Sequence, residues 1–169
     1  MADDSVDRIR AETGRTRDDS SAVEVLSRLY RLMAHIDPRV NELFSAFDLT
    51  RGEAAVLGAL ARSDEPSLTP GRLASLLLCS SGAMTNRLDR LEDDGLIVRT
   101  PDPGDRRGTR IAITRSGRAR VRAATAERER RDPDLIPGLS PSERRTLVDL
   151  LRKLLVAYEE QETPLSSRA

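Results

Sequence analysis

Five residues between positions 82 and 90, namely Gly82, Thr85, Asn86, Asp89 and Arg90, recur at intervals that place them on one face of a helix. Asn and Arg on such a face match the hydrogen-bonding edges of adenine and guanine, each through a pair of bonds. Just ahead of them, Ser80, Ser81, Gly82 and Ala83 are small enough to bring a helix N-terminus close to a phosphate, positive end of the dipole first. A second cluster, Asp105, Arg106 and Arg107, stands in PDPGDRRG, where prolines and glycines fix a tight loop. An arginine on a narrow projecting loop suits the minor groove, whose negative potential is strongest where it is narrow. Asp105 would orient one of the two arginines through a carboxylate pair. Each cluster alone also has a plainer reading, as the solvated face of an ordinary helix and as a surface loop. Together they point to double-stranded DNA as the partner.

These clusters need rigid supports. Met84, Leu88 and Leu91 interleave with the first at helical spacing, which predicts a helix capped by Ser80, stopped by Gly95 and seated on a core. Thr69 and Pro70 provide an N-cap and a first-turn proline for a short helix containing Leu73, Ala74, Leu76 and Leu77. Thr50 and Glu53 have capping-box spacing ahead of Val56, Leu57 and Leu60, a helix that should end near Arg62. The loop cluster lies between two expected strands, 96–100 and 109–113, and so tips a hairpin. Upstream, Val23, Leu26, Tyr30, Met33, Ile36, Val40, Leu43, Phe44 and Phe47 predict one long amphipathic helix, bent near Pro38. Thr114 should cap an Arg-rich helix that DPDLIPG breaks, and Ser140, Pro141 and Glu143 open a last helix with Leu147, Leu150, Leu151, Leu154, Leu155 and Tyr158. Residues 1–20 have only Val6 and Ile9 as apolar anchors and read as a mobile arm or a short, weak helix. The expected fold is mainly α with a small β-hairpin wing: six main helices containing a winged helix-turn-helix.

Composition narrows the chemistry. The 28 basic and 28 acidic side chains cancel, but they are segregated. Nine Arg face six acids within 80–120, whereas the first twenty residues hold six acids and four Arg. A single cysteine, Cys79, and a single histidine, His35, leave no material for a disulfide framework, a Cys/His metal cluster or a triad with a histidine to spare. Cys79 falls at the turn before the recognition helix and reads as a small structural residue, not a redox switch. Without a Gly-rich phosphate loop or an activated nucleophile, neither catalysis nor a cofactor or metal is expected. No apolar run approaches the roughly 20 residues that span a bilayer, and MADDSVDR lacks a signal core, so the expected location is cytoplasmic with no membrane partner.

The string DRRGTRIAIT, followed by Arg115, Ser116 and Gly117, resembles the wing signature of the MarR family, with Asp105 and Arg107 at the positions of the family's wing Asp and Arg. SSGAMTNRLDRLEDDGLIVR resembles that family's recognition helix and first wing strand, LTRGEAAVL resembles its second helix, and the likeness covers roughly 21–160. The resemblance implies a homodimer in which the first helix and the last two helices of each subunit pack together and hold two winged-helix lobes apart. An intramolecular bundle is the alternative use of those helices. On this reading 1–20 is a flexible or weakly helical arm, 21–48 and 115–160 form the dimerisation region, 49–114 is the DNA-binding lobe and 161–169 is a flexible tail. Two recognition helices would meet successive major grooves about 34 Å apart, so the operator should be an imperfect palindrome.

The resemblance also implies a repressor that releases DNA when a small, often aromatic or anionic effector binds between lobe and dimer helices. Tyr30, Met33, His35 and Phe44 are the candidate lining, although apolar and aromatic residues at that spacing equally suit a core. SSGAMTNRLDRLE is also similar to the urate-responsive, PecS-like branch, whose ligand groups are a Trp on an added N-terminal helix and an Asp in the second helix. This chain has no Trp, and Ala55 takes the place of the Asp, which argues against urate. The competing function is an architectural or protein-interaction module with non-specific DNA binding, which would not need the arginine pair.

Overall fold

The computed structural model describes residues 4–14, 21–131 and 135–162. Among these residues the chain forms α1 Ser5–Glu12, α2 Ala22–Ser45, α3 Arg51–Arg62, α4 Pro70–Leu76, α5 Ser81–Asp93, β1 Ile97–Asp102, β2 Asp105–Ile113, α6 Arg115–Arg130 and α7 Pro141–Glu162. They divide into two compact units, one ending at Arg131 and one following it.

Local caps set most helix starts, because each orphaned N-terminal N–H needs an acceptor and a nearby hydroxyl or carboxylate supplies one. Thr50 and Glu53 close a reciprocal capping box on α3, Thr69 accepts from Arg72 N ahead of Pro70, and Thr114 accepts from Gly117 N at the start of α6. In the second unit Glu143 accepts from Ser140 N at 2.8 Å and from the Ser140 hydroxyl at 2.6 Å, which holds its carboxyl below the usual range and opens α7. Gly95 follows α5 at φ +66°, the left-handed conformation that ends a helix without strain on glycine. α2 runs unbroken through Pro38.

The core of the first unit lies where α2, α3, α5, α6 and the hairpin meet. Leu43 and Phe44 from the end of α2, Val56, Leu57 and Leu60 from α3, and Leu73 from α4 pack with Met84, Leu88 and Leu91 of α5. Ile97 and Ile111 come from the hairpin, and Val121 and Ala124 from α6. The strands pair antiparallel from Ile97 opposite Ile113 to Asp102 opposite Asp105, and Leu68 bridges to Ile111 as a one-residue third strand. Gly117 lets α6 reach the hairpin: a Cβ there would fall 2.2 Å from the Leu96 carbonyl oxygen. Cys79 is half-buried against this core, and its N–H donates to the Ala74 carbonyl at 3.1 Å.

The structure refines three expectations, the first through its helical alternative. The arm at 1–20 contains a defined helix, α1, closed by a capping box between Asp4 and Asp7, while residues 15–20 lie outside the described part. Its strength is electrostatic. Arg10 donates to Asp7 at 2.9 Å and to Glu24 at 3.2 Å, and Arg28 on α2 pairs with Asp4 and Asp7 at 3.0 Å and with Glu24. The Asp4 N–H and both arginines hold the Asp7 carboxyl below its ordinary value, the Arg28 bond does the same for Glu24, and Glu24 in turn raises Arg28. The strands also run further than 96–100 and 109–113, because Asp102 accepts from Gly104 N and Asp105 from Arg107 N, both at 2.9 Å. These side-chain turns confine the reversal to Pro103 and Gly104. The expected tail at 161–169 begins inside α7, which reaches Glu162; the remainder lies outside the described residues.

Candidate nucleic-acid interface

α4 and α5 are joined by a tight turn in which Leu78 takes a left-handed φ of +47°. The turn delivers Ser80 to the N-cap of α5, where its Oγ accepts from Ala83 N at 3.2 Å. Met84, Leu88 and Leu91 are essentially fully buried and orient this helix about its axis. The opposite face therefore points to solvent: Ser81, Gly82, Thr85, Asn86, Asp89 and Arg90 are all exposed. Open space surrounds Gly82, and the Thr85 hydroxyl donates to the Ser81 carbonyl at 3.0 Å while keeping its acceptor side outward. Asn86 is exposed and has no hydrogen-bond partner among the described residues, which leaves its amide free for an outside partner. The structure thus brings the helical half of the predicted site onto one surface.

Asp89 and Arg90 are tied more closely to the protein than the sequence suggests. The Asp89 carboxylate accepts from Arg99 of β1 at 2.6 Å, and the same guanidinium reaches Glu92 at 3.0 Å. Arg90 lies 3.8 Å from Glu53, a carboxylate only 7% exposed that also accepts from Thr50 N at the start of α3. Arg87, between them, folds over Gly52: a Cβ on that glycine would meet the Arg87 Nε at 2.5 Å. The recognition-helix candidate is thereby locked to α3 on one side and to the hairpin on the other.

At the hairpin tip Asp105 and Arg107 are exposed, and Arg106 lies in the β2 backbone beside them. Asp105 Oδ1 accepts from the Arg107 backbone N–H at 2.9 Å, which the two-residue reversal brings into reach, and among the described side chains Asp105 forms no ion pair with Arg107. Arg107 forms no ion pair among the described residues, which leaves its guanidinium available for an outside anion. Arg99 and Arg110, two arginines of the same hairpin, are instead engaged with protein acceptors. Sequence reasoning missed both. Of the Arg110 partners only Asp102, eight residues back on β1, lies near in sequence; Glu65 and Ser67 stand 45 and 43 residues away and left no short-range signal.

The candidate effector residues do not converge within one chain. Phe44 is buried in the lobe core, Tyr30 is 77% exposed, and Met33 and His35 are exposed on α2. A cavity of about 330 Å³ between α1 and α2 is lined by Val6, Arg28, Arg31, Leu32 and His35, and takes only one of the four. Along α2, Tyr30 and Phe44 are separated by almost four helical turns, about 21 Å along the axis. Among the described residues no group of His, Cys, Asp and Glu is placed to hold a metal ion, and no helix is long and apolar enough to cross a membrane.

The arrangement of exposed helix and wing has close counterparts in known proteins. The MarR family profile matches residues 47–108. The HTH-type transcriptional regulator PecS of Dickeya dadantii (strain 3937) is 30% identical over 131 residues, covering 77% of this chain and 79% of PecS. Sco5413, a MarR family transcriptional regulator from Streptomyces coelicolor, superposes with a TM-score of 0.74 at 26% identity, over 82% of this chain and 96% of that one. A mutant MarR from E. coli, solved in complex with operator DNA, superposes with a TM-score of 0.69 at 30% identity, over 80% and 99% of the two chains. Its hairpin and helix-turn-helix, its core and these similarities agree, and the chain belongs to the MarR family.

Proposed function

We propose that this protein is a transcription regulator that binds a pseudo-palindromic operator as a homodimer, represses from it, and leaves it when a small effector binds. As such it acts in the cytoplasm. The observation that carries the reading is the pairing of two exposed features on one lobe: the outward polar face of α5 with a small-residue N-terminus, and a wing whose Arg107 has no counter-charge among the described residues. A helix entering the major groove with its N-terminus near the phosphates places Asn86 at base edges. The wing then reaches the adjacent minor groove, where Arg107 meets the strongest negative potential. The likeness to a MarR solved with operator DNA supports the same docking, and nothing in the arrangement favours catalysis.

The test is fluorescence anisotropy with DNA from upstream of the protein's own gene and with a scrambled sequence, across a salt series. Tight binding that depends on the palindrome and persists at moderate salt is expected. Arg107→Ala should weaken it by about 1–3 kcal/mol, and Asn86→Ala should relax preference at a single base position of each half-site. Equal, salt-fragile binding to both DNAs would replace this reading with the architectural one. Equal losses on operator and scrambled DNA for the Asn86 variant would remove Asn86 from base recognition.

A further inference from the structure

Beyond Ile111 the hairpin has little to hold it. Its distal residues are exposed or half-exposed, the ladder is irregular between Pro101 and Asp102, and a two-stranded hairpin alone is marginal in water. At this border stands Arg110. Its Nε donates to the Ser67 hydroxyl at 2.8 Å, and its Nη2 to the Ser67 carbonyl at 2.7 Å and the Glu65 carboxylate at 3.3 Å. Its Nη1 donates to Asp102 on the opposite strand at 3.5 Å. Ser67 and Glu65 belong to the connector between α3 and α4, and Glu65 also lies 3.7 Å from Arg72 on α4. One guanidinium therefore joins both wing strands to the segment that leads into the helix-turn-helix, next to the Leu68–Ile111 bridge. Its fork of N–H groups faces protein acceptors and its charge faces two carboxylates, an arrangement that suits a strut and not a phosphate contact.

We propose that Arg110 is a positioning residue for DNA recognition: it fixes the wing tip, and with it Arg107, at a set angle to α5 by anchoring the hairpin to the α3–α4 connector. The recognition half of this inference rests on the function proposed above, whereas the anchoring half concerns the free protein. A wing that swings loses the benefit of Arg107, because a contact worth having in the groove must be held in place before binding.

Two measurements test it, using Arg110→Met and Arg110→Lys. In the DNA-free protein, amide hydrogen exchange of residues 99–111 should quicken in Arg110→Met while Leu88 and Leu91 of α5 keep their protection. Unchanged exchange in the wing would overturn the anchoring. On the DNA selected by the anisotropy assay, Arg110→Met should cost roughly tenfold in affinity in the wild-type background but less than about twofold when Arg107 is already Ala, the signature of coupled residues. Arg110→Lys should behave like the Met variant, since a point charge cannot serve four acceptors in a fork. Equal losses in both backgrounds, or full rescue by Lys, would overturn the positioning role in favour of a direct phosphate contact. A wild-type protein without DNA affinity would defeat the regulator reading and the recognition half together, and the exchange result would still decide the anchoring.

Discussion

Gly117 shows how much the site depends on a single residue that never meets DNA. It lies in the first turn of α6, where Thr114 accepts its N–H at 3.0 Å and its bare Cα approaches the chain at Leu96. A methyl group there would sit 2.2 Å from the Leu96 carbonyl oxygen and 2.9 Å from Ile113 Cγ1, and the first of these is backbone that cannot rotate aside. Gly117→Ala should therefore push the wing strands away from α6 and destabilise the protein by about 1–3 kcal/mol, despite the better helix propensity of alanine. Thermal unfolding of the purified variant checks this. An unchanged or raised midpoint would mean that the hairpin shifts freely against α6, and with it that the wing is less rigid than its packing indicates. Asp89 is the opposite case: exposed on the outward face of α5, its carboxylate also pairs with Arg99 at 2.6 Å and so ties that face to the hairpin.

At the scale of elements, what was legible was what is local. The caps at Thr50, Thr69, Ser80, Thr114 and Ser140 fall where their spacing put them, because each satisfies the N–H group three residues ahead. Met84, Leu88 and Leu91 fixed the facing of α5 for the same reason, one helix period at a time. α1 takes the helical alternative for the arm: its capping box and the Arg10–Asp7 pair are local, whereas Arg28 reaches back to Asp4 and Asp7 from far along the chain, and the apolar pattern carries no trace of that docking. For Phe44 the spacing left core and pocket open, because core and pocket residues share it, and its burial in the packed lobe is a tertiary fact. The ion cluster makes a prediction about acid. Asp7 and Glu24 have carboxyls held below their ordinary range, so their contribution to docking α1 on α2 is complete above about pH 4–5 and is lost as pH falls through and below that range. The backbone resonances of residues 5–12 should be constant from pH 8 to 6 and move together on acidification, and Arg28→Ala should reproduce the acid state at neutral pH. Resonances that ignore acid would show that α1 is held by Val6 and Ile9 and not by charge.

For the whole molecule the open question is what covers the apolar surface left on two helices. On α2, Val23, Leu26, Tyr30 and Met33 are exposed at helical spacing, and on α7 Val148, Leu150, Leu154, Leu155 and Tyr158 are exposed as well. Surfaces of this kind on a chain of zero net charge favour association, and a closed two-fold dimer is the simplest assembly that removes them from water without leaving new edges. It is also the assembly that a palindromic operator requires, since a lone lobe contacts only one half-site. Sedimentation equilibrium should therefore give twice the chain mass. Leu154→Glu combined with Leu26→Glu should give a single chain mass, because a buried carboxylate without a partner costs several kcal/mol per subunit. The same double variant should keep the weak, salt-dependent affinity of one lobe for a half-site and lose the preference for the full palindrome. A wild-type protein that sediments as one chain would remove the dimer and turn the exposed face of α2 toward a different partner. A dimer that survives both glutamates would place the interface on other residues.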